Sequence, residues 1–304
     1  MYYEYALDPS LLSNWKDFRY FYEKFGWYNG RLISRYPKHW KKIVYESLNK
    51  GGLSDIQMTK MVEILQRGID TKLVRRKDAQ YLDQMEWVCN AKVEHEKRPF
   101  HAIITKSNLE NCDHILCADE VNEDEHSKWR VGEKRLLRKA SAYAAELSLL
   151  LCNSKKIRFV DPHFRGHLDR FKGIIKEILC EIGPGAVCDF ELHTGITEDY
   201  DYFKERMEKN ITKLMPQGTK MCVFVWKEKP ESEELHNRFI LTDLAGVSFG
   251  TGLDESKTSN STAKDIVKRL SDDEYKELTA QYHENSTAFD KAGEKFIIEG
   301  TIYE

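Results

Sequence analysis

The sequence predicts an α/β fold: a mixed sheet with helices on both faces fills the second half, behind a mainly α-helical N-terminal region. Three observations lead there. Apolar side chains recur at helical spacing through residues 1 to about 80. After Asn153 short apolar strands alternate with amphipathic helices. Met221 to Trp226 is one continuous apolar run, as expected of a strand covered on both faces. A chain of 304 residues accommodates two domains, expected over 1–130 and 131–304.

The elements follow in order. Leu11, Trp15, Phe18, Phe21, Tyr22 and Phe25 form the stripe of a first helix, closed at Gly26. A second helix after Pro37 buries Trp40, Ile43, Val44 and Leu48. Ser54 opens a capping box, Ser54-Asp55-Ile56-Gln57, ahead of Met58, Met61, Val62 and Leu65. Ala102 to Thr105 reads as a short strand, followed by an acidic loop around 110–125. A long helix is expected over 133–152, then a strand at Ile157 to Val160 and a helix over 168–179. Gly183-Pro184-Gly185 breaks that helix before a strand at Ala186 to Leu192. Thr197 is expected to cap a helix ending at Pro216-Gln217-Gly218, with Glu198, Asp199 and Asp201 favourable at its positive end. Strands at 236–242 and 247–250, joined by a turn at Leu244-Ala245-Gly246, complete a β-α-β-α-β-β-β order.

Composition narrows the classes. Hydrophobic residues at 41% with only 7 prolines argue against a disordered chain. No apolar run is long enough to cross a bilayer, and the N-terminus shows no basic segment followed by an apolar one. Seven scattered cysteines read as reduced thiols of a cytoplasmic protein. No residue cluster suggests a metal or cofactor. The net charge of −3 hides a basic stretch from Lys16 to Lys50, where nine Lys and Arg face three Asp and Glu.

The candidate chemistry lies in His236-Asn237-Arg238, with Asp243 five residues on and Gly250-Thr251 beyond. On a strand His236 and Arg238 share one face. An imidazole can attack phosphorus, and a guanidinium can bind the non-bridging oxygens. Pairing through the 244–246 turn brings Gly250, Gly252 and Asp254 opposite that pair, where glycines let a phosphate approach the backbone closely and Gly250 and Thr251 would bind it. This segment resembles the phospholipase D superfamily motif, with Arg238 in place of lysine and Gly250-Thr251 in place of Gly-Ser. The resemblance implies a metal-independent phosphodiesterase, most readily a nuclease, with His236 forming a phosphohistidine and Asp243 anchoring a histidine. It also implies a second motif copy. Asp161-Pro162-His163-Phe164-Arg165 contains His-x-Arg but lacks the spaced aspartate, and reads as a turn motif. A homodimer bringing two His236 side chains face to face is therefore expected. Single-motif relatives further imply a place in prokaryotic antiviral defence, within a complex of other proteins.

DNA or RNA is the expected partner, with no membrane. Arg31, Arg35, Lys38, Lys41 and Lys42 interleave with Trp27, Tyr28, Tyr36 and Trp40, a composition suited to phosphate binding with base stacking. Arg75-Arg76-Lys77 adds a second basic run. Two other readings stand beside this one: a catalytically inactive phosphate-binding module within a larger complex, and a lipid phosphodiesterase.

Overall fold

The computed structural model describes residues 1–123, 126–183, 188–230, 235–258 and 261–302. It divides into two compact units, Tyr2–Val131 and Met1 with Gly132–Glu304. The chain is α/β, and each unit has its own sheet.

The N-terminal unit holds the expected helices and, in addition, a parallel sheet that their periodicity did not announce. Its strands are β1 (Tyr3–Leu7), β2 (Arg31–Ser34), β3 (Leu73–Val74), β4 (Ala102–Thr105) and β5 (Ile115–Cys117), in the order β3-β2-β1-β4-β5. The helices α1 (Trp15–Lys24), α2 (Trp40–Leu48), α3 (Asp55–Glu63) and α4 (Trp87–Lys97) connect them. The Ser54–Gln57 capping box forms on α3 as the sequence predicts. One sheet face packs Tyr5, Leu7 and Ile104 against Phe18, Phe21, Trp40 and Val44, and the other packs Ala6 and Ile103 against Ala91 and Phe100. Strands buried on both faces show no alternation, and these are only two to five residues long. Only Ala102 to Thr105 was legible.

The C-terminal unit opens with β6 (Lys134–Leu137), an edge strand where a helix was expected; the helix α5 (Ala140–Asn153) begins only after it. Then come β7 (Lys156–Val160), α6 (Asp169–Ile182), β8 (Asp189–Gly195), α7 (Tyr200–Ile211) and β9 (Lys220–Lys227). Asp199, and not Thr197, caps α7, accepting from the amides of Asp201 and Tyr202. The expected strand at 186–192 is found as β8, with 184–187 outside the described residues. After β10 (Arg238–Thr242), β11 (Gly246–Phe249) and β12 (Lys264–Arg269) follow α8 (Asp272–Gln281), β13 (Asp290–Lys291) and β14 (Phe296–Glu299).

Two helical crossovers make β7, β8 and β9 parallel neighbours. The chain then returns across the sheet, so that β10 pairs antiparallel with β7 and β11 with β10. This return places the start of β10 and the end of β11 at the carboxyl end of β7. On one face Val160, Phe224, Trp226, Phe239 and Leu241 pack with Tyr275 and Leu278 of α8. Arg238, Ile240 and Thr242 point to the opposite face, by the two-residue period of a strand.

Candidate active site

The carboxyl end of β7 is where the fold gathers its chemistry, as open α/β sheets commonly do. A cleft of about 280 Å³ there is lined by Arg138, Asp161, His163, Arg170, Arg238, Thr251, Gly252 and Asp254, with Phe171 alongside. Asp161 and His163 follow β7, Arg238 opens β10, and Thr251 to Asp254 leave β11. His236 stands exposed at the rim, its ring perpendicular to that of His163 with centroids 6.4 Å apart.

Three guanidinium groups face this cleft, and the Nε of each of Arg138, Arg170 and Arg238 is buried with no hydrogen-bond partner among the described residues. An orphaned buried donor costs roughly 1–3 kcal/mol. Asp254 holds two of the three in place: its Oδ1 accepts from Arg138, and its Oδ2 lies 3.4 Å from Arg170 Nη1. Asp161 organises the other wall. It accepts from the amides of His163 at 2.8 Å and Leu253 at 2.9 Å, tying the two loops together. Burial raises the Asp161 carboxyl above its usual range, against the lowering by those amides and by Arg238. Burial, and next the Arg238 charge, lower His163 below the usual imidazole range.

The residues singled out from sequence separate. Arg238, Thr251 and the rim residue His236 come together. Gly250 sits on the ladder, its amide donating to the Ile266 carbonyl at 3.1 Å. Both the amide and the hydroxyl of Thr251 donate to Asp265 Oδ1, at 2.9 and 3.1 Å, so neither proton is left for a phosphate. Asp243 lies at the far end of β10, where its carboxylate accepts from the amides of Lys155 and Lys156 at 2.8 and 3.1 Å. Seven strand-like steps of about 3.3 Å put it on the order of 20 Å from His236. It caps the start of β7 and cannot anchor that histidine.

Sequence reasoning missed Arg138 and Arg170, placed Asp254 opposite Arg238 where the cleft has it, and discounted Asp161 and His163 as a turn motif for want of a spaced aspartate. Since Asp243 itself serves as a strand cap, that want was no argument against His163. Asp265 had a legible signal, an acidic residue at an inward position of an alternating strand. The five basic residues of the N-terminal unit also part ways. Arg31 lies over the Trp129 ring and donates to the Trp129 carbonyl, Lys41 pairs with Asp70, and Lys42 lies 3.8 Å from Glu46. Arg35 and Lys38 line a separate pocket.

Among the described residues no group of three or more His, Cys, Asp or Glu side chains is placed to hold a metal ion, and no helix is long and apolar enough to cross a membrane. No protein-family model matches the chain, and no curated protein is similar to it.

Proposed function

We propose that the C-terminal unit is a metal-independent phosphodiesterase, a nuclease in its preferred form. The observation that carries this reading is the perpendicular pair His163 and His236, 6.4 Å apart, beside three arginines with unpaired buried donors. A phosphodiester lies with its non-bridging oxygens on Arg138, Arg170 and Arg238, where charge develops in the transition state. Neutral His236 attacks phosphorus, forming an N–P bond as the P–O bond to the leaving group breaks, and His163 gives that oxygen its proton. The neutral His163 then takes a proton from the water that attacks the phosphohistidine, which restores both imidazoles. With both histidines in one chain, the chemistry does not depend on a symmetric dimer.

A polymer suits the surroundings better than a small diester. A groove of about 770 Å³ shares Arg138 and Arg170 with the cleft and continues along Lys139, Ser256, Lys257 and Thr258. Asp169 and Glu255 also line it, the first paired with Lys172 and the second accepting from the Ala140 amide, and the four cations with the hydroxyls fit the flanking phosphates of a strand. The resemblance to phospholipase D nucleases supplies the setting: a cytoplasmic enzyme of prokaryotic defence.

One observation favours a second reading, a phosphate-binding module without turnover. Among the described residues no carboxylate orients His236. A single assay separates the two: labelled single- and double-stranded DNA and RNA in EDTA, with wild type beside His236→Ala and His163→Ala. The nuclease reading expects cleavage by wild type, its loss in His236→Ala, and a fall on the order of 100-fold in His163→Ala. Equal binding by all three proteins without cleavage would establish the module instead.

A further inference from the structure

The N-terminal unit carries a second concentration of positive charge, independent of the histidine cleft. A pocket of about 470 Å³ is lined by Arg35, Lys38, Arg75, Arg76, Lys77, Asp78 and Ala79. Its position follows from the topology. Arg35 directly follows β2 and Arg75 directly follows β3, two parallel strands in register at Ser34 and Val74. The pocket therefore opens at the carboxyl ends of a parallel sheet, the side on which such sheets bind ligands.

Its floor is fixed by ion pairs, and in its walls Arg35 Nε donates to the Lys38 carbonyl at 3.1 Å. Arg76 has a fully buried side chain held by Glu94 at 2.7 Å, by Glu4 at 3.0 Å and by the Arg98 carbonyl, over the Phe100 ring. Two carboxylates thus absorb its charge. Arg35, Lys38, Arg75 and Lys77 are exposed, and none forms an ion pair with a carboxylate among the described residues. Only Asp78 offsets them within the pocket lining. Four cations against one carboxylate around a single concavity repel each other, and an anion of matching charge relieves that repulsion.

The shape selects the kind of anion. A nucleic-acid strand needs cations spread along a track and exposed rings for its bases. Here Lys41 and Lys42 lie beside Asp70 and Glu46, while Tyr36 and Trp40 are buried at 1% and 0% exposure. Tyr36 donates to the Gln80 and Asn90 carbonyls and Trp40 to the Leu7 carbonyl, so both rings belong to the core. What remains is a compact pocket of the size that small ligands fill.

We propose that this pocket binds a compact polyphosphate, either free or as the phosphate chain of a nucleotide. The test is titration calorimetry on the full chain with inorganic tripolyphosphate, ATP and a twelve-residue single-stranded oligonucleotide. The proteins are wild type, the triple variant Arg35→Gln/Arg75→Gln/Lys77→Gln, and Lys209→Gln, at an exposed position of α7 outside both sites, as a control. The substituted pocket residues are exposed, and an unchanged thermal midpoint verifies folding. Tripolyphosphate should bind wild type and Lys209→Gln equally and lose at least about tenfold in affinity in the triple variant. Equal affinity for ATP and tripolyphosphate marks the phosphate chain as the whole ligand; ATP binding at least about tenfold tighter marks a nucleotide. Oligonucleotide binding that is lost in the triple variant, without tripolyphosphate binding, overturns the proposal in favour of a nucleic-acid surface. Tripolyphosphate affinity unchanged in the triple variant, or no binding at all, also overturns it.

Discussion

At the scale of single residues, the cleft is an arrangement of charges held by two buried aspartates. Asp254 bridges Arg138 and Arg170, and Gly252 lies directly against it: a Cβ there would meet Asp254 Oδ1 at 2.9 Å and Asp161 Oδ2 at 3.8 Å. Gly252→Ala should therefore lower phosphodiester turnover about tenfold with little change in thermal midpoint, since the push falls on the carboxylate that aims the arginines. Unchanged turnover would remove Asp254 from the positioning role. Arg238→Gln makes a sharper test through pH. In the proposed mechanism His163 is protonated to assist the leaving group, and burial with the Arg238 charge holds its pKa below the ordinary 6.5. Turnover should fall as pH rises through that lowered value. Removing the positive neighbour raises the His163 pKa, so the descending limb should move to higher pH even as the rate drops. A limb that stays in place would show that His163 does not set it. His236 and Arg238 were legible in the sequence because they stand two residues apart, although His236 falls in the turn before β10 and not on the strand as expected. Arg138 and Arg170 were not, because they belong to a segment after an edge strand and to a helix, separated by more than 60 residues from Arg238.

At the scale of elements, β10 joins two sites of different purpose at its two ends. Its start carries Arg238, and its end delivers Asp243 to the amides that open β7. Asp243→Ala should destabilise the fold by about 1–2 kcal/mol in urea unfolding while turnover per folded molecule is retained. Loss of turnover in the fully folded variant would return Asp243 to the chemistry. Across β7, β8 and β9 runs a buried polar network. Trp226 donates to His193 Nδ1 at 3.1 Å, leaving the proton on Nε2, which lies 3.5 Å from Glu191. Arg158 and Lys156 reach the same carboxylate at 2.6 and 2.7 Å. Burial would raise the Glu191 carboxyl, but the adjacent His193 ring, the Lys156 ammonium and the charge of Arg158 bring it down to about 2. Burial lowers His193 below the ordinary imidazole value despite Glu191. Alternation within each strand was readable. Which strands would lie side by side, and so assemble this network, was not.

At the scale of the whole molecule, these groups set the response to acid. An unfolded chain takes up protons at imidazoles near pH 6.5 that folded His193 and His163 resist, so stability should fall as pH drops below about 6.5. A second loss should follow below about 4.5, where unfolded Glu191 protonates and folded Glu191 stays ionised down to about 2. Urea midpoints at pH 7.5 and 5.5 should differ for wild type and differ less for His193→Asn, which keeps an acceptor for the Trp226 indole. An equal difference in both would assign the first window to other groups. Each unit has its own sheet and core, and the α/β class was readable from local patterns alone. Helical periodicity, the Ser54 capping box and the apolar run of β9 arise within short windows of chain, so one sequence sufficed to determine them. The parallel sheet of the N-terminal unit, the convergence of three arginines on the histidine pair and the basic pocket at β2 and β3 depended on the tertiary structure. Each joins residues far apart in the chain, and their positions follow from strand order and crossover direction, which local periodicity does not encode.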